Sequence, residues 1–349
     1  MVDLERLAEE RLEPGTHGYF AGGAGDERTL RRNREAFAQW ELRPRVLVDV
    51  SEVSTGCELL GAELSQPVLV APVAFQRLAH PDGEAGMARA AEAAGTAICL
   101  STLASARPAD VAAAAPEARR WMQLYCFRDR GVTRALLDEA RESGYEAILL
   151  TVDAPYAGRR ERDFRTGFRV PADLRAPAIE AAAGEQSLTP AEVFGLVDAA
   201  LDWDDLGELV AECDLPLLVK GVIGPEDAAL AIEHGADGVV VSNHGGRQLD
   251  GVPATIDALP EVVEAVEGRG SVLMDGGITR GSDVAVALSL GADAVLAGRA
   301  PLWGLAVDGQ RGAERALAFL ADELRLALAL LGCPSPAALT PAHVRRRPR

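Results

Sequence analysis

The chain has 349 residues, enough for one large α/β barrel or two ordinary domains. With 53 acidic against 35 basic residues its net charge is −18, which argues against the basic face that nucleic acid requires and against attraction to anionic membranes. An anionic ligand is repelled at long range by such a molecule, so any site for one must be locally positive.

Residues 1–66 precede the first strand-like run and are expected to form a helical extension over the bottom or flank of the main fold. Their first 13 residues are charged and amphipathic, unlike a signal peptide. Eight short apolar runs come next: Pro67–Ala71, Ala97–Leu100, Trp121–Tyr125, Ala147–Val152, Pro216–Lys220, Gly238–Ser242, Ser271–Asp275 and Ala294–Gly298. Runs without polar alternation are what strands buried on both faces look like. Stretches with helical spacing, such as Gly83–Ala94 and Thr133–Ser143, lie between them. Eight β-then-α units predict an α/β fold, a (β/α)8 TIM barrel over 67–330 within a single domain. The competing doubly wound sheet lacks a Gly-x-Gly-x-x-Gly after its first strand.

Two segments stand outside the repeat. Residues 161–200, with the stretch APAIEAAAGEQSLTP, predict a long surface loop or lid after the fourth strand. The tail 331–349 ends in HVRRRPR and is expected to fray. The five cysteines are widely spaced without Cys-x-x-Cys, and no apolar run reaches the ~20 residues that span a bilayer, so the expectation is a cytoplasmic protein with reduced thiols and no membrane partner. No metal is expected.

In a barrel the site forms at the C-terminal ends of the strands, and polar residues collect there. They are Ser101, the pair Gln123 and Tyr125, the pair Thr151 and Asp153 with Arg160 beyond, Lys220, Ser242 followed by His244 and Arg247, then Asp275-Gly276-Gly277 and Gly298-Arg299. Alone, Lys220 reads equally as a lysine reaching solvent, and His244 as a structural histidine. Jointly they put a polar or glycine-rich end on seven of the eight strands of one rim. Glycine-rich turns after strands seven and eight can cradle a phosphate with backbone N–H groups, and Arg299 adds charge there.

The stretch SNHGGRQLD (242–250) resembles the FMN-dependent 2-hydroxy acid oxidase/dehydrogenase family, which includes glycolate oxidase, lactate oxidase and mandelate dehydrogenase. The resemblance runs nearly end to end through YFAGGAGDE (19–27), APVAFQRLAHPDGE (71–84), QLYCFRDR (123–130), TVDAPYAGRRERD (151–163), LVKGV (218–222), MDGGI (274–278) and AGRAPLW (297–303). It implies FMN as cofactor, a small 2-hydroxy acid as substrate and a homotetramer. It implies His244 as the base, Asp153 as its carboxylate partner, Arg247, Arg160 and Tyr19 at the substrate carboxylate, and Tyr125 beside the substrate hydroxyl. Pro72, Val73, Ala74, Ser101, Gln123, Thr151, Lys220 and Ser242 match flavin-ring and ribityl contacts. Asp275, Gly276, Gly277, Gly298 and Arg299 match the ribityl-phosphate end.

Two positions depart from the family. It usually carries a polar residue where Val73 stands, and often reads Asp-Gly-Gly-x-Arg where this chain has Thr279, with Arg280 one place later. The resemblance to soluble mandelate and 4-hydroxymandelate oxidases, with Leu103 where glycolate-type members often carry an aromatic, predicts an aryl substrate and an apolar wall of Phe75, Leu103 and Tyr156. A short-chain lactate or glycolate enzyme, a non-redox FMN isomerase and an inactive barrel are the alternative readings.

Overall fold

The computed structural model describes residues 1–184 and 189–348. Eight parallel strands close into a barrel: β1 Val68–Val70, β2 Ala97–Leu100, β3 Arg119–Leu124, β4 Ala147–Thr151, β5 Leu217–Val222, β6 Gly238–Val241, β7 Ser271–Asp275 and β8 Ala294–Ala297. Each is followed by a packing helix: α1 Gly83–Ala93, α2 Pro108–Ala114, α3 Arg130–Glu142, α4 Trp203–Glu212, α5 Pro225–Glu233, α6 Thr255–Val266, α7 Gly281–Ser289 and α8 Arg299–Leu331. Closure is made by β8 against β1, with Leu296 opposite Leu69. The (β/α)8 barrel read from the apolar runs is the fold observed.

The strands are buried on both sides, and the alternation of side chains divides them into two cores. Leu69, Cys99, Trp121, Leu149, Leu218, Val240, Leu273 and Leu296 point inward and fill the barrel. Their sequence neighbours Val70, Ile98, Met122, Ile148, Val219, Val239, Met274 and Val295 point outward and pack under the helices. This is why no polar alternation shows in the sequence: both faces of each strand are core.

Three expectations are corrected. The extension does more than cover the bottom or flank. Its hairpin, Cys57–Leu59 with Ala62–Leu64, does close the bottom, placing Leu59 and Leu64 against the inward core. Its helices, however, sit at the opposite rim, where Ala24 N–H donates to the Gly246 carbonyl at 2.8 Å and Thr29 N–H to Asp250 Oδ1 at 2.8 Å. The tail is not frayed throughout: Val344–Arg346 pairs antiparallel with Trp40–Leu42, and Val344 is buried. The segment after β4 is not a plain loop, because it carries helices Glu161–Thr166, Pro177–Ala182 and Pro190–Leu196. Thr189 caps the last of these in a reciprocal arrangement with Glu192. Part of the APAIEAAAGEQSLTP stretch, residues 185–188, lies outside the described residues.

Two boundaries have local causes. Helix α3 starts three residues before Thr133 because the Asp129 carboxylate caps it, accepting from Gly131 N–H at 2.8 Å. Strand β5 runs past Lys220 through a bulge, so that Lys220 pairs with Val240 but Val222 with Val241.

Candidate active site

Counting in twos from the inward core reaches one residue at the top of each strand: Ala71, Ser101, Gln123, Thr151, Lys220, Ser242, Asp275 and Gly298. The polar members of this ring sit where a packed barrel would otherwise continue with aliphatic side chains. Above them opens a cavity of about 1710 Å³, part of it open to solvent. It is lined by Tyr19, Pro72, Val73, Ala74, Ser101, Gln123, Tyr125, Thr151, Arg160, Lys220, His244, Arg247, Asp275, Gly276, Gly277, Gly298 and Arg299. Asp153 and Ser242 stand behind this lining, each bonded to residues in it.

His244 follows β6 and holds a left-handed backbone at φ 58°. Its Nδ1 is 2.9 Å from Asp153 Oδ1. Burial alone would raise the Asp153 carboxyl, but the neighbouring His244 and Lys220 outweigh it and hold the group below the usual carboxylate range. Asp153 is thus the anionic partner of the imidazole. Gly221, at φ 111° in the β5 bulge, leaves it room: a Cβ there would lie 2.6 Å from the Asp153 Cβ.

Lys220 is a buried cation with its charge answered on the spot. Its Nζ lies 2.9 Å from Asp275 Oδ2 and donates to Ser242 Oγ at 2.9 Å. Burial pulls the ammonium down, yet Asp275 and Asp153 together carry it above its ordinary value, so it stays charged. Ser242 Oγ also accepts the His244 N–H at 3.0 Å, so one hydroxyl aligns the lysine and the histidine.

The arginines lack such partners. Arg247 Nη1 donates to the carbonyls of Tyr19 at 2.6 Å and Gly22 at 3.1 Å, and its guanidinium lies 5.1 Å from the centre of the Tyr19 ring. Arg299 donates to the carbonyls of Phe20, Gly22 and Gly245 at 3.0, 3.0 and 3.1 Å. Among the described residues neither has a carboxylate at ion-pair distance. Burial, with the like charge of Arg160, pulls Arg247 down to about 10. Burial, with Arg247 and Arg34, pulls Arg299 down to about 9. Both remain charged at neutral pH, and buried charges without counter-ions call for an anion. Burial, then the charge of Asp153, pushes the Tyr125 hydroxyl up, so it remains a hydrogen-bond donor.

Other groups point to a larger ligand than a small acid. Gln123 Nε2, Thr151 Oγ1 and Asp275 Oδ1 are buried without a partner among the described residues, and all three residues face the cavity. Past β7, Gly277 takes φ 83° with the Asn33 carbonyl so close that a Cβ would lie 2.1 Å from its oxygen. With the first turn of α8 beside it, that corner presents bare backbone, the usual cradle of a phosphate.

Sequence reasoning missed several lining residues. Phe194, from helix Pro190–Leu196, stands with its ring 5.8 Å from that of Tyr125. Glu5, Asn33 and Arg34 reach the cavity from the extension. The expected apolar wall is corrected: Leu103 lines the cavity, but Phe75 is buried in the outer core and Tyr156 is 77% exposed. At the departing position, Thr279 N–H and Oγ1 donate to Asp283 at 2.9 and 3.1 Å, and Arg280 Nε donates to Glu323 at 3.0 Å.

The model of a family described as FMN-dependent dehydrogenase matches residues 8–346. The chain belongs to the FMN-dependent dehydrogenase family. It is 47% identical to an L-lactate oxidase of Nostoc sp. over 95% of this chain and 94% of that one. It is 43% identical to the human 2-hydroxyacid oxidase 1 over 99% and 96%. A mandelate oxidase solved with 3,3-difluoro-2-hydroxy-3-phenylpropionic acid superimposes with a TM-score of 0.91 at 41% identity, covering 99% of each chain. Like other members of the FMN-dependent dehydrogenase family, this chain is a flavoprotein that oxidises 2-hydroxy acids with FMN. The unpaired Gln123, Thr151 and Asp275 atoms and the glycine cradle fit that cofactor: heteroatoms of ring and ribityl for the former, a phosphate for the latter.

Proposed function

We propose that the substrate is an aryl (S)-2-hydroxy acid such as mandelate or 4-hydroxymandelate, oxidised to the 2-oxo acid with oxygen as final acceptor. The observation that carries this reading is Phe194, whose ring stands 5.8 Å from that of Tyr125 on a lining that also bears Leu103, His244 and Arg247. An aromatic substituent buried there gains apolar contact that the hydrogen or methyl of glycolate or lactate cannot supply.

The roles that the family resemblance implies accord with the chemistry of each group. Arg247 and Arg160 hold the substrate carboxylate, whose planar pair of oxygens matches a guanidinium fork, and Tyr19 supports them. Tyr125 donates to the substrate hydroxyl oxygen. His244 Nε2 takes the hydroxyl proton, and Asp153 on Nδ1 stabilises the imidazolium that results. FMN, when bound, supplies the two-electron acceptor for the α-hydrogen. Lys220 and the polar ring of the upper barrel would hold its head, where the buried ammonium would favour negative charge. Pro72, Val73, Ala74, Ser101, Gln123, Thr151 and Ser242 would complete the flavin and ribityl contacts. Asp275, Gly276, Gly277, Gly298 and Arg299 would hold the ribityl-phosphate end.

The test is anaerobic mixing of the yellow holoprotein with (S)-mandelate, lactate and glycolate in turn. Faster bleaching by mandelate, slowed in Phe194→Ala while lactate is little affected, is the expected result. The 47% identity to a lactate oxidase favours a short-chain acid as the second reading. Bleaching led by lactate or glycolate would replace the aryl assignment with it. Readmitting air tests oxygen as acceptor.

A further inference from the structure

We infer that Arg34, on the helix Arg28–Glu35 of the N-terminal extension, is a phosphate-binding cation of this flavoprotein, filling the place left by Thr279, and that its ion-pair partner Glu5 competes with the phosphate for it. The inference rests on FMN being the ligand of the cavity.

The corner after β7 is short of cations. Thr279 uses both its N–H and its hydroxyl on Asp283. Arg280 lines the same cavity, but its guanidinium is held by the Glu323 carboxylate of α8 through an ion pair and a hydrogen bond. Arg299 supplies a single positive charge there, with N–H groups already donating to three carbonyls. A phosphate of nearly two negative charges, in a protein of net charge −18, needs more positive charge than this.

Arg34 is placed to provide it. It lines the same cavity as Gly276, Gly277 and Arg299, and its charge is one of those that depress Arg299. The helix that carries it is fixed one residue earlier. The side-chain amides of Asn33 and Asn243 exchange two hydrogen bonds of 2.8 Å, and the Asn33 carbonyl abuts Gly277. Arg34 Nη2 contacts both Glu5 oxygens at 3.1 and 3.0 Å, and Glu5 also lines the cavity. A guanidinium at a cavity wall, holding a carboxylate with both oxygens engaged, is already arranged for an oxyanion. The pair is partly exposed, with side chains 45% and 28% accessible, so exchanging one anion for another is cheap. Helix Val2–Arg11, which carries Glu5, is thereby linked to the phosphate site.

The test compares FMN with riboflavin, which differ by the phosphate alone. Dissociation constants are measured by quenching of flavin fluorescence on flavin-stripped protein: wild type, Arg34→Ala, Glu5→Gln, and Arg34→Ala with Thr279→Arg. We expect Arg34→Ala to weaken FMN about tenfold or more with riboflavin unchanged, as for loss of one charge-assisted hydrogen bond. Glu5→Gln should tighten FMN a few-fold and leave riboflavin alone. Thr279→Arg should restore FMN affinity in the Arg34→Ala background. Equal losses of FMN and riboflavin would make Arg34 merely structural, and unchanged FMN affinity in Arg34→Ala would overturn its role outright. A wild type that binds neither flavin would overturn the FMN assignment itself and this inference with it.

Discussion

At φ 58° His244 sits in the left-handed region, which non-glycine residues occupy at some cost, and the Ser242 hydroxyl and Asp153 carboxylate hold it there. Asparagine tolerates that backbone better than most residues and has no basic nitrogen. His244→Asn is therefore expected to keep FMN and the fold while anaerobic flavin reduction slows by about 10²- to 10⁴-fold, the usual worth of a positioned base. A stopped-flow rate close to wild type would remove His244 from that role. With Arg247 proposed to receive the substrate carboxylate, its deprotonation at about 10 would delete that cation, so kcat/KM should fall as pH rises through that value, with KM rising first. The sign for stability is opposite. Arg247 and Arg299 deprotonate more easily folded than unfolded, so the unfolded chain binds more protons between about 9 and their ordinary range, and the ligand-free fold gains stability as pH climbs there. An invariant kcat/KM between pH 8 and 11 would contradict the assignment of Arg247.

Strand β5 shows how an element serves the site. Its inward Lys220 charges the cavity floor, and the bulge one residue later turns the chain so that Asp153 can approach. Gly221 at φ 111° is the only residue type that fits, since a Cβ would also lie 2.9 Å from the Asp153 backbone nitrogen. Gly221→Ala should destabilise the protein by about 1–3 kcal/mol in denaturant titration and depress kcat through displacement of Asp153. Gly207, within α4, would meet nothing within 4 Å, so Gly207→Ala should instead stabilise by about 0.5–1 kcal/mol. Similar stability changes for both would mean that the bulge geometry imposes no constraint. At this scale much was legible in the sequence. The apolar runs located all eight strands, and the polar residues at their ends marked Gln123, Thr151, Lys220 and Asp275 as belonging to the rim. Helix Pro190–Leu196 was not legible: it is short, lies in an insertion without repeat, and gave no sign that Phe194 reaches the cavity.

At the scale of the molecule, the barrel gathers eight strand ends on one rim, and the segments outside the repeat complete the site. Among the described residues no helix is long and apolar enough to cross a membrane. The sequence by itself determined the barrel and the family, because apolar period and motif order are written in neighbouring residues. It also located the polar strand ends, since a charge such as Lys220 stands out within an aliphatic run. Only the tertiary structure decided that Glu5, Asn33 and Arg34 of the extension reach the cavity, that Ser242 serves Lys220 and His244 from behind, and that Glu5 meets Arg34 on the same lining. Those contacts join distant parts of the chain, as Asn33 does with Asn243 across 210 positions. No local pattern encodes such a meeting; it exists once the barrel has closed and brought both partners to one rim.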